Sequence, residues 1–157
     1  MRNKLDYSLF HCPMHELMIK DHMFKINKHT EYALMALSYL NRHDSPIGAK
    51  VLSHELSIPF DPLSKVLQIL KRNQIISSTR GIKGGYVLDC ELKEISLFQL
   101  SKLIEGDWPH QCGPDECHYF STCHIKKPVT HLHNMMGQVF QKITINQFLK
   151  TNYEIHV

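Results

Sequence analysis

The chain has no apolar run approaching the roughly 20 residues a membrane-spanning helix needs, so no bilayer segment and no membrane partner are expected. Its opening stretch, MRNKLDYSLFHCPMHELMIKD, lacks the apolar core and small-residue cleavage site of a secretory leader, which makes the cytoplasm the expected compartment. There is no G-x-S-x-G elbow, no phosphate-binding loop and no zincin helix, so no familiar catalytic constellation can be assembled and an enzyme is not expected. Cysteine is scarce as well, with five in 157 residues.

Apolar residues make up 43% and charged residues 21%, the balance of a folded soluble domain with an ordinary core. The net charge of +3 is unevenly spread. Residues 1–22 hold three basic and three acidic side chains, residues 23–89 nine and five, and residues 90–157 six and seven. The basic excess lies in the middle segment, where a nucleic-acid surface would need it, although an excess of this size is common on solvated faces.

Periodicity divides the chain in the same places. Residues 1–22 have no clean repeat, contain Pro13 and read as a mobile extension, with the folded unit expected from Met23. Phe24 to Asn41 is helical in pattern, with Thr30 as N-cap and Glu31 in an acidic first turn. A short helix is expected over Ala49–Leu56, broken by Ser57-Ile58-Pro59. Asp61 then caps a second helix with Pro62 at its first position, Leu63, Val66, Leu67, Ile69 and Leu70 facing inward, and Ser64, Lys65, Gln68, Lys71 and Arg72 facing outward. Two helices across a tight turn, the second polar and basic outside, form a helix-turn-helix.

Ile75-Ile76 and Tyr86-Val87-Leu88 read as strands joined by a Gly-rich basic hairpin, the wing, from which Arg80 and Lys83 could reach phosphate or the minor groove. In the helix, Ser64 and Lys65 lie near the start, where base edges are met. Lys71 and Arg72 lie near the end, where phosphate is the expected contact. A helix over Leu97–Glu105 ending at Gly106 comes next, and a last helix runs from Lys127 to Phe140 or beyond. Its stripe of Val129, Leu132, Met135, Met136, Val139 and Phe140 would pack either on a twin subunit or on its own core. The expected fold is therefore mainly α with a small β-wing: a winged helix-turn-helix domain over 23–89, followed over 90–157 by a cysteine loop and a long dimerisation helix.

Three of the five cysteines, Cys112, Cys117 and Cys123, fall in one loop with spacing C-x4-C-x5-C. Thiolates gathered so closely can share a metal centre. Zinc and iron–sulfur both suit thiolate, and His110, His118 and His124 flank the loop, so a Cys3His zinc site is chemically open. Cys90 reads as a small packed side chain, Cys12 has no assigned role, and His29 lies close enough to Glu31 to support it.

In this order the pieces resemble the Rrf-two family of bacterial transcription regulators, and within it the nitric-oxide-sensing repressors. HTEYALMALSYL is similar to the family's first helix, IPFDPLSKVLQILKRNQIISSTRGIKGGYVL to its recognition helix and wing with the R-G-x-x-G-G run, CGPDECHYFSTCHIKKPV to its cluster loop, and KITINQFL to its C-terminal signature. The resemblance spans about residues 23–150 and leaves the N-terminal extension outside it. It implies a homodimer that binds a double-stranded DNA operator, carries an iron–sulfur cluster (2Fe-2S or 4Fe-4S) on Cys112, Cys117 and Cys123, and responds to nitric oxide. It also implies a fourth ligand, a carboxylate given by the other subunit's first helix; the matching residue is Glu31, where aspartate is the more familiar side chain. Iron-supply or redox sensing within the same family, and a zinc-stabilised DNA-binding or interaction module, are the alternative functions.

Overall fold

Asn27, not Thr30, starts the first helix. Its side chain accepts a hydrogen bond from the His29 backbone N–H at 3.1 Å, which satisfies one of the donors a helix start leaves open. The computed structural model describes residues 26–81, 83–106 and 118–150; the extension over 1–22 and most of the cysteine loop, including Cys112 and Cys117, lie outside the described residues. Helix α1 covers Lys28–Leu40 and buries Thr30, Ala33, Leu34, Ala36, Leu37 and Leu40, a run with the three-and-four spacing of one helical face. Glu31 stands in its first turn as expected. Thr30 is fully buried, and its hydroxyl donates to the Glu105 carboxylate.

Helix α2 spans Ala49–Glu55 and α3 spans Phe60–Arg72. The turn between them puts Ser57 at φ 52°, and Ser53 Oγ donates to the Ile58 carbonyl at 2.6 Å, holding the turn closed. The N-cap of α3 is Pro59 rather than Asp61, so Asp61 and Pro62 sit inside the first turn, where a carboxylate favours the helix dipole and a missing N–H costs nothing. Leu63, Val66, Leu67 and Leu70 are completely buried, and α3 packs on α1, α2 and the wing strand that follows. Ile69 is only half-buried, at the edge of that face.

The wing is longer than the pattern of apolar residues indicates. Strands β1 (Ile76–Thr79) and β2 (Gly85–Leu88) pair antiparallel, with Ile76 opposite Leu88 and Thr79 opposite Gly85. Ser77, Ser78 and Thr79 join by backbone pairing, which hydrophobicity does not report. Ile47, ahead of α2, exchanges two hydrogen bonds with Tyr86, at 3.0 and 2.8 Å, and adds a third edge. The approach is so close that a side chain at Gly85 would run into the Ile47 backbone, while one at Gly84 would meet the Thr79 carbonyl. Gly81 turns the hairpin at φ 116°.

Helix α4 (Leu97–Glu105) opens with a reciprocal cap: Ser96 Oγ accepts from Gln99 N at 3.1 Å and Ser96 N donates to Gln99 Oε1 at 2.8 Å. It ends at Gly106, φ 83°. Helix α5 covers Lys126–Lys142 and returns the chain to the start of α4, where Leu97 N donates to Ile143 O and Ile145 N to Ile95 O, both at 2.8 Å. A last helix, α6 (Ile145–Lys150), is started by a second reciprocal pair between Thr144 and Gln147 and packs on α1. The core is one cluster of α1–α4, β1 and Ile145.

Candidate nucleic-acid interface and metal centre

The recognition face follows from the packing of α3. With Leu63, Val66, Leu67 and Leu70 turned inward, the same helical period turns Lys65, Gln68, Lys71 and Arg72 outward, all exposed, with Ser64 half-buried at the margin. Arg80 and Lys83 are exposed at the hairpin tip, where Gly84 N donates to Gly81 O at 2.9 Å. Gln74, at φ 58°, turns the chain from the end of α3 into the wing. The helix and the hairpin are therefore joined through only Asn73 and Gln74, with Ile75 and Ile76 anchored in the core. Six side chains able to meet bases or phosphate thus stand exposed on two adjoining elements, with no carboxylate paired to any of them among the described residues.

A second site gathers at the other end of α1. Glu31 is about one third exposed and its Oε2 takes an ion pair from Lys28 at 2.6 Å. That hydrogen bond, and then the carboxylate's charge, push the Lys28 ammonium up from its usual range. One residue earlier, Thr30 holds Glu105, the last residue of α4, immediately before the cysteine loop departs. The loop is thus rooted beside Glu31 in its own subunit. Cys123, the last of the three thiols, is half-buried just ahead of α5, and Lys126 Nζ lies 3.7 Å from the centre of the Phe120 ring beside it. Cys112 and Cys117 lie outside the described residues, as does His110; His118 and His124 are exposed. The donor set, three thiols and a carboxylate, suits iron–sulfur or zinc by its chemistry.

Cys90 behaves as the packed thiol expected of it: its Sγ faces the Ile75 carbonyl at 3.6 Å, and burial first, with Glu94 and Asp89 adding, pushes its thiol up. His29 stacks edge-on against Tyr32 at 6.3 Å and is exposed. Thr30 was legible only as a cap; its role in tying α1 to α4 has no signal in the sequence.

Residues 26–151 match the family model Rrf2, described as an iron-dependent transcriptional regulator. The chain belongs to this family. Among curated relatives, protein aau3 of Rhizobium meliloti is 27% identical over 84% of this chain and 89% of its own length. The HTH-type transcriptional regulator NsrR of Oceanobacillus iheyensis is 24% identical over 83% and 92%. Of solved structures, T. potens IscR superposes with TM-score 0.64 at 20% identity, covering 82% of this chain and 88% of that one. The winged-helix fold and the role of a DNA-binding transcription regulator are thereby established; a regulator rather than an enzyme is what the family offers.

Proposed function

We propose that this Rrf2 regulator is a homodimeric repressor that senses nitric oxide through an iron–sulfur cluster held by Cys112, Cys117, Cys123 and the partner's first-helix carboxylate, the residue that is Glu31 in each chain. The observation that carries the reading is the C-x4-C-x5-C thiol set on a loop whose root is hydrogen-bonded, through Glu105 and Thr30, to the helix that bears Glu31. When bound, the cluster supplies iron open to nitric oxide where a carboxylate, a harder and weaker donor than thiolate, is the ligand. The chain's own residues do the rest. The three thiolates fix the loop, and Glu31 ties it to α1 across the dimer. Leu37 and Ala33 of α1 pass that position into the core against α3. Ser64, Lys65 and Gln68 are aimed at base edges, and Lys71, Arg72, Arg80 and Lys83 at phosphate, on two half-sites about one helical turn apart. When the ties are lost, the spacing of the recognition helices is no longer held and the operator-competent state loses its advantage.

Lys28 shares the same carboxylate, so a metal held by Glu31 would compete with its ion pair. The test is anaerobic purification with iron and sulfide analysis, then operator binding before and after nitric oxide. Cys112→Ala, Cys117→Ala or Cys123→Ala is expected to remove iron and sulfide, while Cys12→Ala and Cys90→Ala are not. Glu31→Ala is expected to keep the dimer, lose cluster faster in air and weaken the operator complex; Glu31→Asp is expected to match the natural chain. A colourless protein holding one zinc ends this reading. The family's iron-dependent description favours one second reading, in which cluster occupancy itself, set by iron supply, is the signal; there operator binding follows iron loading and ignores nitric oxide.

A further inference from the structure

With Pro59 as the N-cap of α3, no side chain caps that helix, and the Asp61 carboxylate is left unused at its start. Asp61 is exposed and, among the described residues, makes no hydrogen bond and no ion pair, not even with Lys65 one turn along. The turn that presents it is fixed: Ser57 holds φ 52°, Ile58 is 4% exposed, and Ser53 Oγ donates to the Ile58 carbonyl. Around the helix axis Lys65, Gln68 and Arg72 lie within about 40° of Asp61. Leu70, fully buried, lies on the opposite side. Asp61 therefore stands on the centre line of the outward face, in the turn of the helix that meets base edges.

The helix dipole accounts for a first-turn carboxylate on a solvated helix. It does not account for one on the centre line of a face turned toward a polyanion. Duplex DNA carries about one negative charge per 1.7 Å of axis, so Asp61 opposes every approach that offers it no donor. We propose that Asp61 is a specificity-determining residue, accepting a hydrogen bond from cytosine N4 at one position of each half-site. A carboxylate can only accept. In the major groove guanine offers it the acceptors N7 and O6, thymine the acceptor O4 and a methyl, and adenine an amine flanked by the N7 acceptor. Cytosine alone offers an amine with no acceptor beside it. The same charge thus does two things: it holds the correct base and weakens binding to every sequence that lacks it. The inference rests on α3 entering the major groove and is independent of the metal and its signal.

The test uses the intact chain and the duplex it selects from a randomised pool. Binding is measured for the natural chain and for Asp61→Ala, whose melting temperature is checked first. Asp61→Ala is expected to bind the selected duplex about tenfold more weakly and duplex of unrelated sequence more tightly, two shifts of opposite sign. Replacing one cytosine·guanine pair of a half-site by thymine·adenine is expected to cost the natural chain about tenfold and Asp61→Ala almost nothing. Tighter binding of both duplexes by the same factor makes Asp61 a repulsive charge only and overturns the proposal. Equal sensitivity of the two chains at every cytosine overturns it as well. Lys71→Ala separates this inference from the placement of α3: a lower salt slope there, with Asp61→Ala silent, leaves the helix on DNA and removes the proposal alone. A chain that selects no duplex removes both.

Discussion

The winged-helix half and the α5 helix treat apolar side chains in opposite ways. In α3 the inward residues Leu63, Val66, Leu67 and Leu70 are completely buried, with Ile69 half-buried at the edge of that face. In α5 the stripe is divided: Val129, Met136 and Phe140 are half-buried, with Phe140 packed on the core, whereas Leu132, Met135 and Val139 are 52%, 51% and 54% exposed, and Gly137 is buried against the Phe98 ring. Both helices are amphipathic to the eye. The first has its apolar partners within the chain, whereas the second leaves Leu132, Met135 and Val139 uncovered among the described residues, the condition that association of two copies relieves. The lesson is that a helical repeat states which residues share a face and is silent on whose surface that face meets.

The difference can be broken most severely from the buried side. Leu67→Ala removes a side chain with no exposure and is expected to cost roughly 2–5 kcal/mol, read as a lower midpoint in urea unfolding with little change in slope. The paired substitution Leu132→Asp and Met135→Asp is expected to do the reverse: secondary structure is retained, and sedimentation shows a smaller particle than the natural chain. If the doubly substituted chain sediments as before, the stripe is not an association surface. Ser96→Ala removes half of the reciprocal cap at the start of α4 and is expected to cost about 1 kcal/mol, measured the same way.

On the DNA face the expectation is no change in stability but a change in salt response. Arg80→Ala and Lys71→Ala are each expected to lower the dependence of operator affinity on salt by about one unit of slope. Ser64→Ala instead relaxes the sequence preference. The smallest effect belongs to Cys90. Burial holds its thiol up, so it remains protonated further into the alkaline range than an ordinary cysteine and is expected to alkylate more slowly at pH 8 than the same thiol in urea. The sign is that of an acid disfavoured when charged: raising pH through the usual thiol range weakens the fold slightly rather than strengthening it.

Much of the fold was legible because its signals are local. The inward run of α3, the Gly106 stop and the hairpin glycines each state a backbone requirement within a few residues. The helix starts were misplaced, Thr30 for Asn27 and Asp61 for Pro59, since any short polar residue before an apolar run can serve as a cap and only backbone angles decide among them. Thr30 shows why this matters: it is deep in the core, bonded to a carboxylate 75 positions along the chain. The Ile47–Tyr86 pairing and the third edge of the wing were likewise hidden, being contacts between segments that carry no shared pattern. Of the candidate site, Lys65, Gln68, Lys71, Arg72, Arg80 and Lys83 are exposed and Ser64 is half-buried; Cys123 and Glu31 are among the described residues, while Cys112 and Cys117 lie outside them.

The bridge between Ser96 and Thr144 has a wider meaning. It joins the two ends of the excursion made by α4, the cysteine loop and α5, with hydrogen bonds from Leu97 to Ile143 and from Ile145 to Ile95 on either side. In chain topology that excursion is an insertion with a sewn base. Its length can drift at little expense, since doubling a flexible loop adds only about 0.6 kcal/mol of closure entropy. The number of residues between α4 and α5 can thus differ without touching the hydrogen bonds that close the seam, so the length of the excursion and the shape of the winged-helix domain are set by separate contacts.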